Sequence, residues 1–440
     1  MEQAIHKGVS WWKVWDWIGI FHRSVYTLLL LGLGFSIPIK NRMASYMIGL
    51  LVINWAAELR FWSKIRRIGI SRYRYDLLLF SGIYFLYMIG LLYSHNMEYG
   101  MFDIEVKLSL LVFPLLFATL DSRVFAVLRV EYIYVTYLLG CLGASLLCLG
   151  IACYRFSMSG DSDVFFYTRL SLFHHAGYFA MFLDFAIVLV IFLARQHFRL
   201  LRRWHLVFSG ILLLLFNLMV VLLSSKMAII SLIIIYLGLA LLFFFRERNP
   251  KAALIPSALL VTVIVFLLVS PAALYRFERA QQAIEQYKDI PPDAQEATAG
   301  RMLIWQSCLN IIREHPLFGV GTGDVKDALM KEYADRKFSD AIEHRLDAHN
   351  QYLQTYISLG LAGIIPLILM LFLPAVAAFR RKDYIYFFFI LLFSMNILVE
   401  SMFENQAGVV FYAFFNSLLF WSIPIRETGS APRTGTSDTC

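Results

Sequence analysis

The chain has 440 residues, of which 59% are hydrophobic and only 16% charged, and its mean hydropathy is +0.65. A soluble protein of this length carries roughly a quarter charged residues, so a soluble enzyme or binding module is excluded and a polytopic membrane protein is expected. The net charge of +8 is spread in short clusters between apolar runs, the pattern of topology signals and headgroup contacts rather than of nucleic-acid binding.

Residues 1–23 are polar and hold Trp11, Trp12, Trp15 and Trp17. They lack the features of a cleavable signal and read as an interfacial segment lying on the membrane. Runs apolar enough to cross a bilayer follow near 24–39, 43–59, 77–94, 109–120, 131–154, 177–194, 206–223, 227–245 and 253–274, then at 352–376, 385–401 and 409–425. The expected fold is therefore all-α with about twelve transmembrane helices; the fourth is the weakest, being short and broken by Pro114. With the N-terminus inside, the cytoplasmic segments hold 23 Lys and Arg, while the short outer loops hold only Lys40, Arg42, Lys107, Arg155, Arg169 and Lys226. That asymmetry puts both termini in the cytoplasm and the long loop between spans nine and ten outside, periplasmic in a Gram-negative cell. The expected organisation is 1–23 interfacial, 24–274 spans one to nine, 275–351 outer loop, 352–425 spans ten to twelve and 426–440 a cytoplasmic tail.

The outer loop is the one long polar interval. YRFERAQQAIEQYKDI is expected to prolong helix nine until Pro291 and Pro292 break it. RMLIWQSCLNIIRE then reads as an amphipathic helix, with Gln306, Asn310 and Arg313 on one face and Leu303, Ile304, Cys308 and Ile311 on another. A second short helix is expected over VKDALMKEYADR, and Asp347 is the expected N-cap of span ten. Cys141, Cys148, Cys153, Cys308 and Cys440 form no disulfide framework or metal-site spacing.

Soluble chemistry in such a chain belongs where it leaves the lipid. His349 is expected in the first turn of span ten, where the helix dipole keeps an imidazole neutral and able to act as a general base; alone it reads equally well as an interfacial histidine. Arg301, Lys226, Arg169 and Lys107 are cations on the side where cations are disfavoured. Each alone can be a headgroup contact; together they suggest a pocket for phosphate or diphosphate. GVGTGD lacks the Lys-Ser/Thr of a nucleotide loop and reads as a turn. His344, Asp347 and His349 lack the geometry of a metal site. Asp184 and Glu400, acids within or at the end of spans, are candidates for function or for pairing with the outer cations.

RMLIWQ, REHPLFGVGTGD and DAHNQYLQTYISLGLAGI together resemble the signature of the O-antigen ligase and polymerase superfamily. KLSLLVFPLLF, TRLSLFHHAGYFA, LLSSKMAII and ESMFENQAGVVFYAFF are similar to its membrane motifs in the same order. The resemblance implies a GT-C-like membrane glycosyltransferase with no cofactor or metal. It implies His349 as the base activating an acceptor hydroxyl, and Arg301 as the loop arginine on the lipid diphosphate, joined by Arg169 and Lys107. Lys226 stands where the family usually has an arginine, so the charge is kept and the bidentate fork is not. The implied donor is an undecaprenyl-diphosphate-linked glycan and the implied acceptor a lipid A–core sugar (ligase) or another repeat unit (polymerase). A secondary transporter of an anionic solute is the alternative from another class, but the two repeated halves and midplane polar site of such proteins are not visible.

Overall fold

The structure is a computed structural model that describes residues 11–69, 71–121, 123–124, 128–197, 202–269, 274–275, 278–279, 281–282, 285 and 297–429. Most of YRFERAQQAIEQYKDI, Pro291, Pro292 and the tail from 430 lie outside the described residues. Among those described, all regular structure is helical. Seven helices are long and apolar enough to cross a membrane: Arg74–Leu91 within α4 (Ser71–Leu91), α7 (Val130–Ser159), α9 (Ala176–Gln196), α10 (Arg203–Leu223), α11 (Lys226–Leu241) with its continuation to Arg246, α12 (Pro250–Val269) and α16 (Gln351–Arg380). Helices α1 (Trp11–Ser36), α2 (Asn41–Ala57), α17 (Tyr384–Asn396) and α18 (Gln406–Gly429) stand where further spans were expected. The chain is an all-α polytopic membrane protein.

The expected fourth span is α6 (Ser109–Thr119), whose 11 residues reach about 16 Å, half of a hydrocarbon core. It is joined to α5 (Met97–Lys107) through Leu108, itself in helical conformation. The outward faces of the bundle are apolar: Ile53 on α2, Ile211 and Leu214 on α10, and Leu254, Val261 and Val265 on α12 are each more than half exposed. Continuous apolar surface of this extent suits lipid as its neighbour and not water.

Helix α9 is the axis of the bundle, buried continuously from Ala176 to Ile191. Phe182 and Phe185 meet Phe411 and Phe415 of α18 and Phe389 of α17 in edge-on and tilted ring contacts, an arrangement favoured by the ring quadrupole. Asp184 on this axis accepts a hydrogen bond from Ser231 of α11 at 3.0 Å, a hydroxyl and not one of the outer cations.

The polar interval builds its own small core. Helix α13 (Ala297–Glu314), longer at its start than expected, packs Ile304, Cys308 and Ile311 against Val325, Leu329 and Tyr333 of α14 (Val325–Asp335) and Ala341 of α15 (Ser339–Glu343). Its polar face is tied down as the spacing predicts: Asn310 donates to Glu332 at 2.7 Å, and Arg336 donates to Gln306 at 3.2 Å.

The GVGTGD turn anchors this layer to the bundle. Val320 and Gly321 donate to the carbonyls of Ile357 and Ser358, while Leu361 and Ala362 donate to those of Pro316 and Leu317. The pairing is possible because α16 is broken at Gly360 (φ 62°, ψ −152°), a conformation essentially confined to glycine. Gly319 (φ 68°) packs on the Ile357–Leu359 backbone, and a Cβ at either glycine would strike main chain. Thr322 donates to the Tyr87 carbonyl at 2.7 Å, and Asp324 accepts from the amides of His95 and Asn96.

Candidate functional site

The segment Asp347–Gln351 is held rigidly before α16 begins. Asn350, not Asp347, is the N-cap, and its side chain accepts from the amides of Tyr352 and Leu353. Asp347 instead turns inward and accepts from the His349 amide at 2.7 Å. Trp305 donates to the Ala348 carbonyl, and Gln354 accepts from the Ala348 amide. On the other side, Gln351 donates to the Ile397 carbonyl at 2.9 Å and its side chain accepts from the Phe403 amide. The stretch that follows α17 is thereby fastened beside the histidine.

His349 lies two residues ahead of the helix, with φ 43°, so it is not in the first turn. That changes its expected protonation. Burial opposes charge on the ring, but the hydrogen bond to Glu400 and the charges of Asp347 and Glu400 outweigh it, and the pKa is held above the ordinary imidazole value. The expectation of a ring kept neutral by the helix dipole is therefore reversed by two nearby carboxylates.

Glu400 is the hub of the site. One oxygen, Oε1, lies 2.5 Å from Nη2 of Arg301, and the other, Oε2, lies 3.4 Å from Nδ1 of His349. Burial alone would raise the Glu400 pKa, yet His349 and Arg301 together hold it below the ordinary glutamate value. Arg301 sits in the second turn of α13, and Thr298 one turn earlier accepts from Lys226 Nζ at 2.8 Å. Lys226 opens α11 two residues after Ser224, whose left-handed φ of 48° turns the chain sharply between α10 and α11. Arg301 and His349 are thus brought onto one carboxylate by elements far apart in sequence, and Lys226 is joined to the same helix one turn from Arg301.

The other two stand apart. Lys107 has no exposed side-chain surface; it is paired with Asp103 one turn earlier and donates to Glu404 at 2.8 Å. Two carboxylates engage this ammonium, so it is not presented to an incoming anion as the sequence reading expected. Arg169 is half exposed and donates to Asp161 at 2.6 Å. Its loop leads to His175, whose charge is felt by Glu400, and to Tyr178, buried at the start of α9.

Sequence reasoning had Glu400 as a candidate for function or for pairing with the outer cations, and it does pair with Arg301; it missed Glu404, Asp103 and Lys326. Asp103 carried a readable signal, a carboxylate four residues before Lys107 on a helix. Glu404 and Lys326 carried none; the charge of Lys326, on α14, acts on Asp347, and burial lowers the lysine's own pKa. His344 is exposed and faces Asp340 at 3.6 Å, away from this cluster. A crevice of about 770 Å³ between α4 and α16, lined by Gly82, Pro366 and Arg381 among others, shares no residue with it.

Chemically, the arrangement offers two cations from different helices beside a carboxylate-linked imidazole, at the end of the bundle where the helical loop layer sits. That is a combination for an anionic group and a nearby proton transfer.

Comparison with known proteins adds family information. The model of the Wzy_C family, O-antigen ligase, matches residues 210–368, a stretch containing Lys226, Arg301 and His349. An uncharacterized protein of Haemophilus influenzae is 26% identical over 137 residues, which is 30% of this chain. The match spans about a third of that relative, 34% of its length.

Proposed function

From a chain whose residues 210–368 match the O-antigen ligase family, we propose that this protein transfers a preassembled glycan from undecaprenyl diphosphate to a sugar hydroxyl of lipid A–core at the periplasmic face of the inner membrane. The observation that carries the reading is the convergence of Arg301, Lys226 and His349, since a diphosphate leaving group needs cations and an attacking hydroxyl needs a base.

In the proposed step, His349 takes the acceptor hydroxyl proton while the oxygen attacks the anomeric carbon. The new C–O bond forms on the face opposite the breaking one, so the anomeric configuration inverts. The diphosphate departs with the bonding electron pair, and its growing charge is met by Arg301 and Lys226. The glycosyl–phosphate bond already stores the driving force, so the step as drawn needs neither ATP nor metal. Holding both substrates in one pocket supplies much of the acceleration. Arg169, half exposed on its loop, is the proposed contact for the outer part of the donor. Lys107 supports the site from within, through Glu404.

A lipopolysaccharide gel tests the proposal. Loss of the long ladder with retained lipid A–core, on deletion or on His349→Ala, supports ligation. Collapse of the ladder to a single repeat unit identifies the protein as a polymerase instead, and an unchanged ladder sinks both.

A further inference from the structure

We propose that Glu400 is the positioning residue of the reaction: its carboxylate holds His349 through Nδ1, leaving Nε2 to face the acceptor hydroxyl. The inference rests on the proposed role of His349 as base and adds what sets its tautomer and orientation.

The geometry gives Glu400 two separate duties. Oε2 faces Nδ1 of His349, and Oε1 is occupied by Arg301. A carboxylate accepts only, so the Nδ1 proton stays on the ring and the lone pair of the neutral form is on Nε2. Asp347 is placed differently: it takes the His349 amide, and its carboxylate stands 3.7 Å from Nδ1. Glu400 is itself fixed, because the neighbouring Ser401 accepts from the Asn350 amide and Ile397 accepts from the Gln351 amide. Imidazole and carboxylate therefore sit on two segments of chain stitched together next to the pair, on both sides of Glu400 and just after His349.

The charged groups around the pair are Arg301 of α13, Asp347 on the histidine's own segment, and His175 at the start of α9. Lys326 of α14 and Glu404 act at one remove, through Asp347. In the reaction the acceptor proton passes to Nε2, and the imidazolium so formed keeps its Nδ1–H on Glu400. The carboxylate thus faces positive charge as it develops, the role of the orienting acid in a hydrolase triad.

The same carboxylate oxygen pair ties base and anion site together. Arg301 cannot turn fully toward a diphosphate without loosening its hold on Oε1, so arrival of the donor leaves Glu400 more completely to His349.

The test is performed on the full-length protein in detergent with ¹⁵N-labelled histidine, together with glycan transfer across pH. In the wild type the His349 ring is expected as the Nδ1–H tautomer when neutral; an Nε2–H tautomer overturns the proposal with no variant needed. Glu400→Gln is expected to lower the His349 pKa, move the acidic limb of the rate profile down and cut kcat roughly tenfold to hundredfold. Glu400→Asp, which keeps the charge, is expected to restore part of the limb and part of kcat. An unmoved limb and pKa in Glu400→Gln overturn the role of Glu400 while leaving His349 as base intact. Full transfer by His349→Ala overturns the base itself, whatever the tautomer shows.

Discussion

Lys107 Nζ donates to Glu404 at 2.8 Å, across 297 residues of chain and with no solvent access to the lysine. With Asp103 on its other side, the ammonium joins α5 to the short turn before α18. Its loss would leave two carboxylates facing each other in a buried space. Lys107→Met is therefore expected to destabilise the protein by roughly 3–5 kcal/mol, the usual cost of breaking one side of a buried ion pair. Thermal unfolding in detergent measures this, and an unchanged midpoint would show that the pair does not hold the bundle.

The cations that meet the proposed diphosphate are expected to act on the donor. Arg301→Ala and Lys226→Ala should each cost about 1.5–3 kcal/mol of transition-state binding, the range for a charge-assisted hydrogen bond, read as a fall in kcat/KM for the lipid-linked glycan. Lys226→Arg should retain more activity than Lys226→Ala. Arg301→Lys should retain less than an arginine-to-lysine change at the surface, because the fork that reaches both Glu400 and an anion is lost.

His349→Ala is expected to lower transfer by about 10²–10⁴-fold, the range for a positioned general base, with folding intact. Loop stability serves as the control, measured by resistance to limited proteolysis.

Activity and stability are expected to part company with pH. His349 has a raised pKa, so its contact stabilises fully below the unfolded value of 6.5 and fades as pH rises through the folded value. Glu400 has a depressed pKa, so its contribution is present above 4.5 and is lost as pH falls through its folded value. Docking of the loop is therefore strongest between those limits. A base must be neutral to accept a proton, so transfer rises with pH through a pKa above 6.5. Rate and proteolysis measured on one pH series check both trends; a rate that falls across that range contradicts the assignment.

Gly360→Ala places a side chain in a conformation that costs about 1–3 kcal/mol, and the added Cβ strikes the Leu317 backbone. The expected outcome is an undocked turn, with faster cleavage near Phe318 and loss of transfer. Leu361→Ala, one residue on and partly exposed, serves as the comparison and is expected to be mild.

The helices were legible because lipid imposes long apolar runs, and the loop helices because their two faces differ in polarity. Arg301 and Lys226 were legible as charges out of place, and His349 from its place at the start of span ten. What could not be read was which opposite charge each would meet. Lys226 and Arg301 were expected as a free anion site, but Arg301 is tied to a carboxylate 99 residues away. Lys107 carried the same outward signal as Lys226, a cation at an outer edge, yet burial and two acids give it another place. The protonation of His349 was misjudged for the same reason: the helix dipole is local and visible in sequence, whereas Glu400 comes from another segment altogether.

The break at Gly360 has a mechanical meaning. Above it, α16 carries Gln351 to Leu359 and, just before them, the histidine; below it, the shaft continues to Arg380. The Gly319 turn grips the helix at the discontinuity, so the end that carries His349 is fastened to the helical loop layer as well as to the shaft that continues from it. One glycine thus gives two lengths of a single helix different neighbours: the first meets the loop layer and the stretch after α17, and the second meets α18, whose Tyr412 donates to the Met370 carbonyl.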